Sequence, residues 1–244
     1  MNLNKINTYV CFGLKAGLIL VFLLSTTFAF SQDEDKPVEQ KRLPVTFRFD
    51  GGLGNILTPR AMRNNFYSVG DLNGGFHFGF AKGWNVGINM RYTGFQIRQG
   101  ASNVSDTVIA GIIYQVRTIH NSYTPGVTLG YDKWVGEKAF FNFNVNAGYS
   151  LVRYSKVRNA FKGDIKAANF EALLVEPAIN FMYFFEDKVG MTIKVSYSWT
   201  NGWFRPGDIG LDKGVIPYTS EELKGNLQFI SFGLGFIYSF RRVS

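Results

Sequence analysis

The sequence contains one cysteine, two histidines and 7 prolines in 244 residues. Its only thiol, Cys11, precedes the apolar core of an N-terminal leader and is lost when that leader is removed. A mature chain without cysteine can form no disulfide framework and has no thiolate nucleophile. There is no HExxH, CxxC, phosphate-cradling loop or nucleotide fingerprint, so no metal and no cofactor is expected. The glycine-rich spots Gly51-Gly52-Leu53-Gly54 and Gly74-Gly75 read as strand ends and packing positions. Beyond the leader, no apolar run reaches the length of a membrane helix.

The leader has an ordinary secretory grammar. Lys5 and Lys15 precede the apolar run from Ala16 to Phe28, and Ala29-Phe30-Ser31 places small residues before Gln32. This pattern predicts a signal peptide over residues 1–31, its apolar run being too short to span a bilayer comfortably. Its removal takes two lysines and lowers the formal charge from +8 to +6. A signal peptide with no later spanning run leads to the periplasm, the exterior or an outer-membrane barrel. Residues 32–43 are charged and lack apolar periodicity, which predicts a disordered periplasmic tail.

What the chain has in quantity is aromatic residues, with 24 Phe and 12 Tyr, and glycine, with 27. They fall in alternating stretches. In the last, Ile230, Phe232, Leu234, Phe236, Tyr238 and Phe240 share one face against Ser231, Gly233, Gly235 and Ser239. Period-two alternation defines a strand, and about 9–11 such residues cross a membrane. Seven earlier stretches repeat the pattern, beginning near Val45, Gly75, Trp84, Tyr123, Phe141, Val175 and Val189. Their connections alternate long and short, the short ones at Ala81-Lys82-Gly83, Val135 to Lys138 and Glu186-Asp187. Even strand number, short periplasmic turns and long outer loops are the rule for outer-membrane barrels.

The expected fold is therefore all-β: an eight-stranded antiparallel up-and-down transmembrane β-barrel over residues 44–244. Both termini fall in the periplasm. The apolar run Val108 to Val116 leaves ten strands as the alternative. Pro177, inside the sixth strand, predicts a bulge. Phe80, Trp84, Trp134, Phe140, Phe184, Phe185 and Phe240 form an expected periplasmic girdle. Tyr92, Tyr123, Tyr154, Trp199, Trp203 and Phe204 form the outer one.

In this alternation and loop pattern, Pro44 to Phe240 resembles the small outer-membrane barrels of the OmpA transmembrane domain and OmpX. Arg241-Arg242-Val243-Ser244 after Phe240 departs from the aromatic ending frequent in that group. The Ala-Phe-Ser-Gln junction of the leader resembles those of Bacteroidetes. The resemblance to OmpA implies a gated salt-bridge network as an alternative to a static plug.

An eight-stranded barrel is just wide enough for side chains to fill it. The lumen face carries Arg48, Asp50, Arg91, Asp132, Glu176 and Lys194, with His77 among them, so the expectation is a closed, salt-bridged interior. The function read from this is structural or interactive rather than enzymatic, as a stand-alone surface protein or an accessory subunit of an outer-membrane complex. The alternatives are a narrow gated channel and a lipid A-modifying enzyme using His120 with Ser122 at the outer rim. The third outer loop is basic, with Arg153, Lys156, Arg158, Lys162 and Lys166. Outer-membrane lipid and lipopolysaccharide phosphates are the partners such a loop suits, and the compartment argues against nucleic acid.

Overall fold

The computed structural model describes residues 42–97, 106–109, 112–159, 163–165, 169–202 and 225–242. Among them are β1 (Val45–Thr58), α1 (Arg60–Asn65), β2 (Phe66–Gly79), β3 (Trp84–Ile97) and β4 (Asp106–Ile109). There follow β5 (Ile112–Trp134), β6 (Ala139–Asn159), β7 (Gly163–Ile165), β8 (Asn169–Phe184), β9 (Val189–Thr200) and β10 (Leu227–Ser239). The leader, residues 32–41 of the tail, Trp203, Phe204, Lys162 and Lys166 lie outside the described residues.

Eight strands close a barrel, every neighbour antiparallel, in the order β1, β2, β3, β5, β6, β8, β9, β10. β10 returns to β1 from Thr46 opposite Ser239 to Thr58 opposite Gln228, and β5 pairs with β6. β4 pairs with β5 and β7 with β6; neither is a stave. The stretch Val108 to Val116 thus belongs to β4 and to the start of β5, and the ten-strand alternative is excluded. Turns at 81–83, 135–138 and 185–188 lie at one end with both described termini. We call this the terminal end and the opposite one the long-loop end. β5 has 23 residues and β6 has 21, far more than β9 with 12.

Side chains alternate as the pleat requires. On β8 and β9 every even residue from Ala172 to Phe184 and from Gly190 to Thr200 is buried. The odd ones face out. The outer wall shows Phe76, Phe78, Ile88, Met90, Leu129, Val145, Ile193, Phe232 and Leu234 exposed, while the lumen holds the charges. In water so large an apolar surface would drive association. An apolar wall around a polar core is a membrane barrel, with lipid as its solvent. Towards the long-loop end, outward tyrosines donate to polar neighbours: Tyr67 to Gln96 at 2.9 Å, Tyr92 to Asn121 at 2.8 Å and Tyr197 to Gln228 at 2.8 Å. An apolar ring with a polar tip suits the lipid–water boundary.

Several expectations need correction. Pro177 causes no bulge: Leu174 opposite Thr200 and Ala178 opposite Ser196 keep one register, with the β8–β9 ladder interrupted only at 176–177. Its ring faces outward and the missing donor costs a rung rather than a residue. The long connection expected between the first two strands is shortened, because Ala61, Met62 and Phe66 are buried and 60–74 holds α1 and the start of β2. The glycine clusters lie within β1 and β2, not at their ends. Trp134, Phe140 and Phe184 belong to no girdle, since their even positions point into the lumen. Tyr154 also points inward.

Candidate functional site in the barrel lumen

From the terminal end upward the lumen is filled in three layers. The lowest is apolar: Trp134, Phe140, Met182, Phe184 and Ile237 pack together with Leu43, which precedes β1. Trp134 and Phe140 have ring centroids 4.7 Å apart, and Phe140 stacks on Phe184 at 6.0 Å. The chain enters this layer anchored, with Arg42 Nε donating to the Gly79 carbonyl at 2.8 Å and the Gly79 N–H donating to Leu43 O at 3.2 Å.

Above it lies an ionic layer. Arg48 on β1 reaches across to Asp132 on β5, Nη2 to Oδ2 at 3.2 Å, and Asn142 donates to Asp132 Oδ1 at 2.7 Å. Lys194 lies between Asp50 at 3.1 Å and Glu176 at 3.0 Å. Arg91 grips Asp71 with Nε to Oδ1 at 2.7 Å and Nη2 to Oδ2 at 2.6 Å, and its Nη1 meets Glu176. Ser198 and Asn146 both donate to Glu176, at 2.6 and 3.0 Å, and Asn73 donates to Asp50 at 3.0 Å. Buried charges are tolerable only with partners and hydrogen bonds of this kind. Six of the seven expected network residues are thus joined: Arg48, Asp50, Arg91, Asp132, Glu176 and Lys194.

The seventh is not. His77 is buried over Gly87, where an added Cβ would lie 2.8 Å from Nδ1, and among the described residues it forms no ion pair. Sequence reasoning also missed one member, Asp71. The second strand was started at Gly75, yet the same parity that turns Gly75 and His77 inward turns Asp71 and Asn73 inward as well. The signal was present and lay four residues before the expected strand.

The third layer, near the long-loop end, is apolar and aromatic again. Phe95, Tyr154, Phe170 and Phe229 surround His120, and Met62 of α1 lines the same space. Arg91 joins the layers, its guanidinium carbon 5.2 Å from the Phe229 ring centre. His120 and Ser122 do point to the same side, as expected of the rim pair. Ser122, however, is paired with Thr124 at 3.4 Å. Neither imidazole nitrogen of His120 has a hydrogen-bond partner among the described residues. The orienting carboxylate that a nucleophilic pair needs does not reach it.

The basic stretch is divided. Arg153 faces outward on β6. Lys156 and Arg158 lie further along that strand, Arg158 opposite Arg117 on one side and Asp164 on the other. Among the described residues no group of His, Cys, Asp and Glu is arranged to hold a metal ion.

No protein-family model matches the sequence, and no curated protein matches it. Among solved structures, the chain is similar to Neisserial surface protein A, with 12% identity, 80% of this chain and 97% of that one covered, and a TM-score of 0.44. It is similar to Ail, the attachment invasion locus protein of Yersinia pestis, with 10% identity, coverage of 81% and 99%, and a TM-score of 0.42. It is also similar to the outer membrane protein OprG of Pseudomonas aeruginosa, with 15% identity, coverage of 83% and 99%, and a TM-score of 0.41.

Proposed function

We propose that this protein is a closed, non-catalytic barrel of a Gram-negative outer membrane that acts through its surface rather than through a pore. One observation carries the reading: the lumen is filled by an apolar layer, a paired ionic layer and a second apolar layer. An ion crossing it would have to displace aromatic rings twice and break buried ion pairs between them. On this reading both termini are periplasmic and the chain stands with the small barrels of the OmpA transmembrane domain and OmpX, of Bacteroidetes type. Its working parts are the long-loop end, with the basic stretch from Arg153 facing lipopolysaccharide phosphates, and the outer wall, which offers a face to a larger outer-membrane complex.

Three measurements test this. In planar bilayers the purified protein gives no steady conductance; a stable open-pore current would overturn the closed reading. A tagged chromosomal copy, purified in mild detergent, brings down a stoichiometric outer-membrane partner if it is an accessory subunit and comes alone if it is a stand-alone surface protein. Lipid A from cells carrying His120→Ala matches that of wild type; an altered acylation pattern would make the protein an enzyme.

A further inference from the structure

The third layer leaves space around His120 that its side chains do not fill. The gaps between atoms in this region come to about 400 Å³ in all, open solvent included, and lie chiefly among Met62, Phe95, Tyr154, Phe170 and Phe229. His120 is 2% exposed and both of its ring nitrogens are without partners among the described residues. Thr93, Ser122 and Thr200 also line the space, yet neither nitrogen of His120 is bonded to them, and a buried N–H and lone pair without partners cost free energy that a bound hydrogen-bonding group would return. The rings of Tyr154, Phe95 and Phe170 stand 5.1, 5.9 and 6.4 Å from the imidazole, centroid to centroid.

We propose that this chamber is a binding site for a small neutral molecule with a compact aromatic body and one hydrogen-bonding group, such as a phenol or an indole. The ring packs among the aromatic walls at the offset or tilted geometries they favour, and the polar group meets His120. The lining selects this class. None of the described residues that line it is charged, so an ionic ligand would lose its hydration with no counter-charge among them to receive it. A purely apolar ligand would leave His120 unsatisfied. As the side chains stand, only about 10 Å³ admits the centre of a water molecule, so a ring enters by displacing a wall. Met62 is the wall that can yield, being an unbranched, adaptable side chain on the six-residue helix α1. That helix serves as the lid.

The two histidines make the test direct, because one lies in the chamber and the other in the lower lumen. The protein, labelled with ¹⁵N-histidine and held in detergent micelles, is titrated with p-cresol and with indole. The expected result is a saturable shift of the His120 ring signals while those of His77 stay fixed. His120→Phe weakens binding about tenfold, as loss of one hydrogen bond predicts, and Val152→Phe, which fills the chamber, abolishes it. Each variant is first checked for heat-modifiable migration, and the wild-type titration stands even if a variant fails to fold. Unmoved His120 signals, as for a chamber holding an ordered water only, overturn the proposal. So do shifts of both histidines that grow without saturating, which report partition into the micelle.

Discussion

Lys194 reaches Asp50 across an entire strand because that strand presents no side chain between them. On β10, Gly233 lies opposite Lys194 and Gly235 opposite Asp50, and the ammonium passes over both to end 3.1 Å from the carboxylate. The glycines also let the backbones close in. A Cβ on Gly235 would lie 1.9 Å from the Phe49 carbonyl oxygen and 2.6 Å from the Asp50 Cα. Gly235→Ala should therefore cost about 3 kcal/mol, the upper range for overpacking, read as a lower urea midpoint in micelles. Gly136→Ala, with nothing within 4 Å of the added carbon, should leave the midpoint where it is.

Asp71 and Arg91 form the forked, two-bond pair of the ionic layer. Asp71→Ala leaves Arg91 with Glu176 alone, and breaking a buried pair from one side costs about 3–5 kcal/mol. Combining it with Arg91→Leu should recover part of that loss. A double-mutant cycle in micelles measures the coupling, which should exceed about 1 kcal/mol. Additive losses would mean that the two groups do not depend on each other.

On the proposed closed reading, the lower apolar layer and the ionic layer each block the lumen. Trp134→Ala should cost about 3–5 kcal/mol, as deletion of a buried aromatic does, yet leave the bilayer conductance at zero. A current through that variant alone would show that the ring, and not the ion pairs, is the barrier.

Pro177 withholds one donor from the β8–β9 ladder without shifting it. In lipid no water makes up for a missing rung, so Pro177→Ala should raise stability by about 0.5–1.5 kcal/mol. A lower urea midpoint would show that the proline ring contributes more by its packing than its nitrogen costs.

The fold was legible because a barrel in lipid obeys a strict parity, and the sequence writes that parity without interruption from Phe141 to Leu151 and from Val189 to Trp199. Six members of the ionic layer followed from it directly. The failures came from two sources. Aromatic character alone puts Trp134, Phe140, Phe184 and Tyr154 at the membrane boundary, whereas their even positions turn them inward. The other source was the long-loop end, where alternation fades. There β1, β2, β5 and β6 continue past the apolar belt; Asp71 shares the parity of Gly75 and His77 but lies before the apolar residues that mark the second strand, and the helix at Arg60–Asn65 has no periodic neighbour to announce it. Who pairs with whom across the lumen, Arg48 with Asp132 or Arg91 with Glu176, depends on the barrel's closure and is written in no local pattern.

β5 runs for 23 residues, a contour of about 75 Å at the usual rise per residue, where a bilayer needs about 9–11 residues of a tilted strand. More than half of its length therefore stands clear of the hydrocarbon, with β6 beside it and β4 and β7 along its margins. On the proposed orientation, whatever approaches the long-loop end meets the upper half of that hairpin before it meets the membrane.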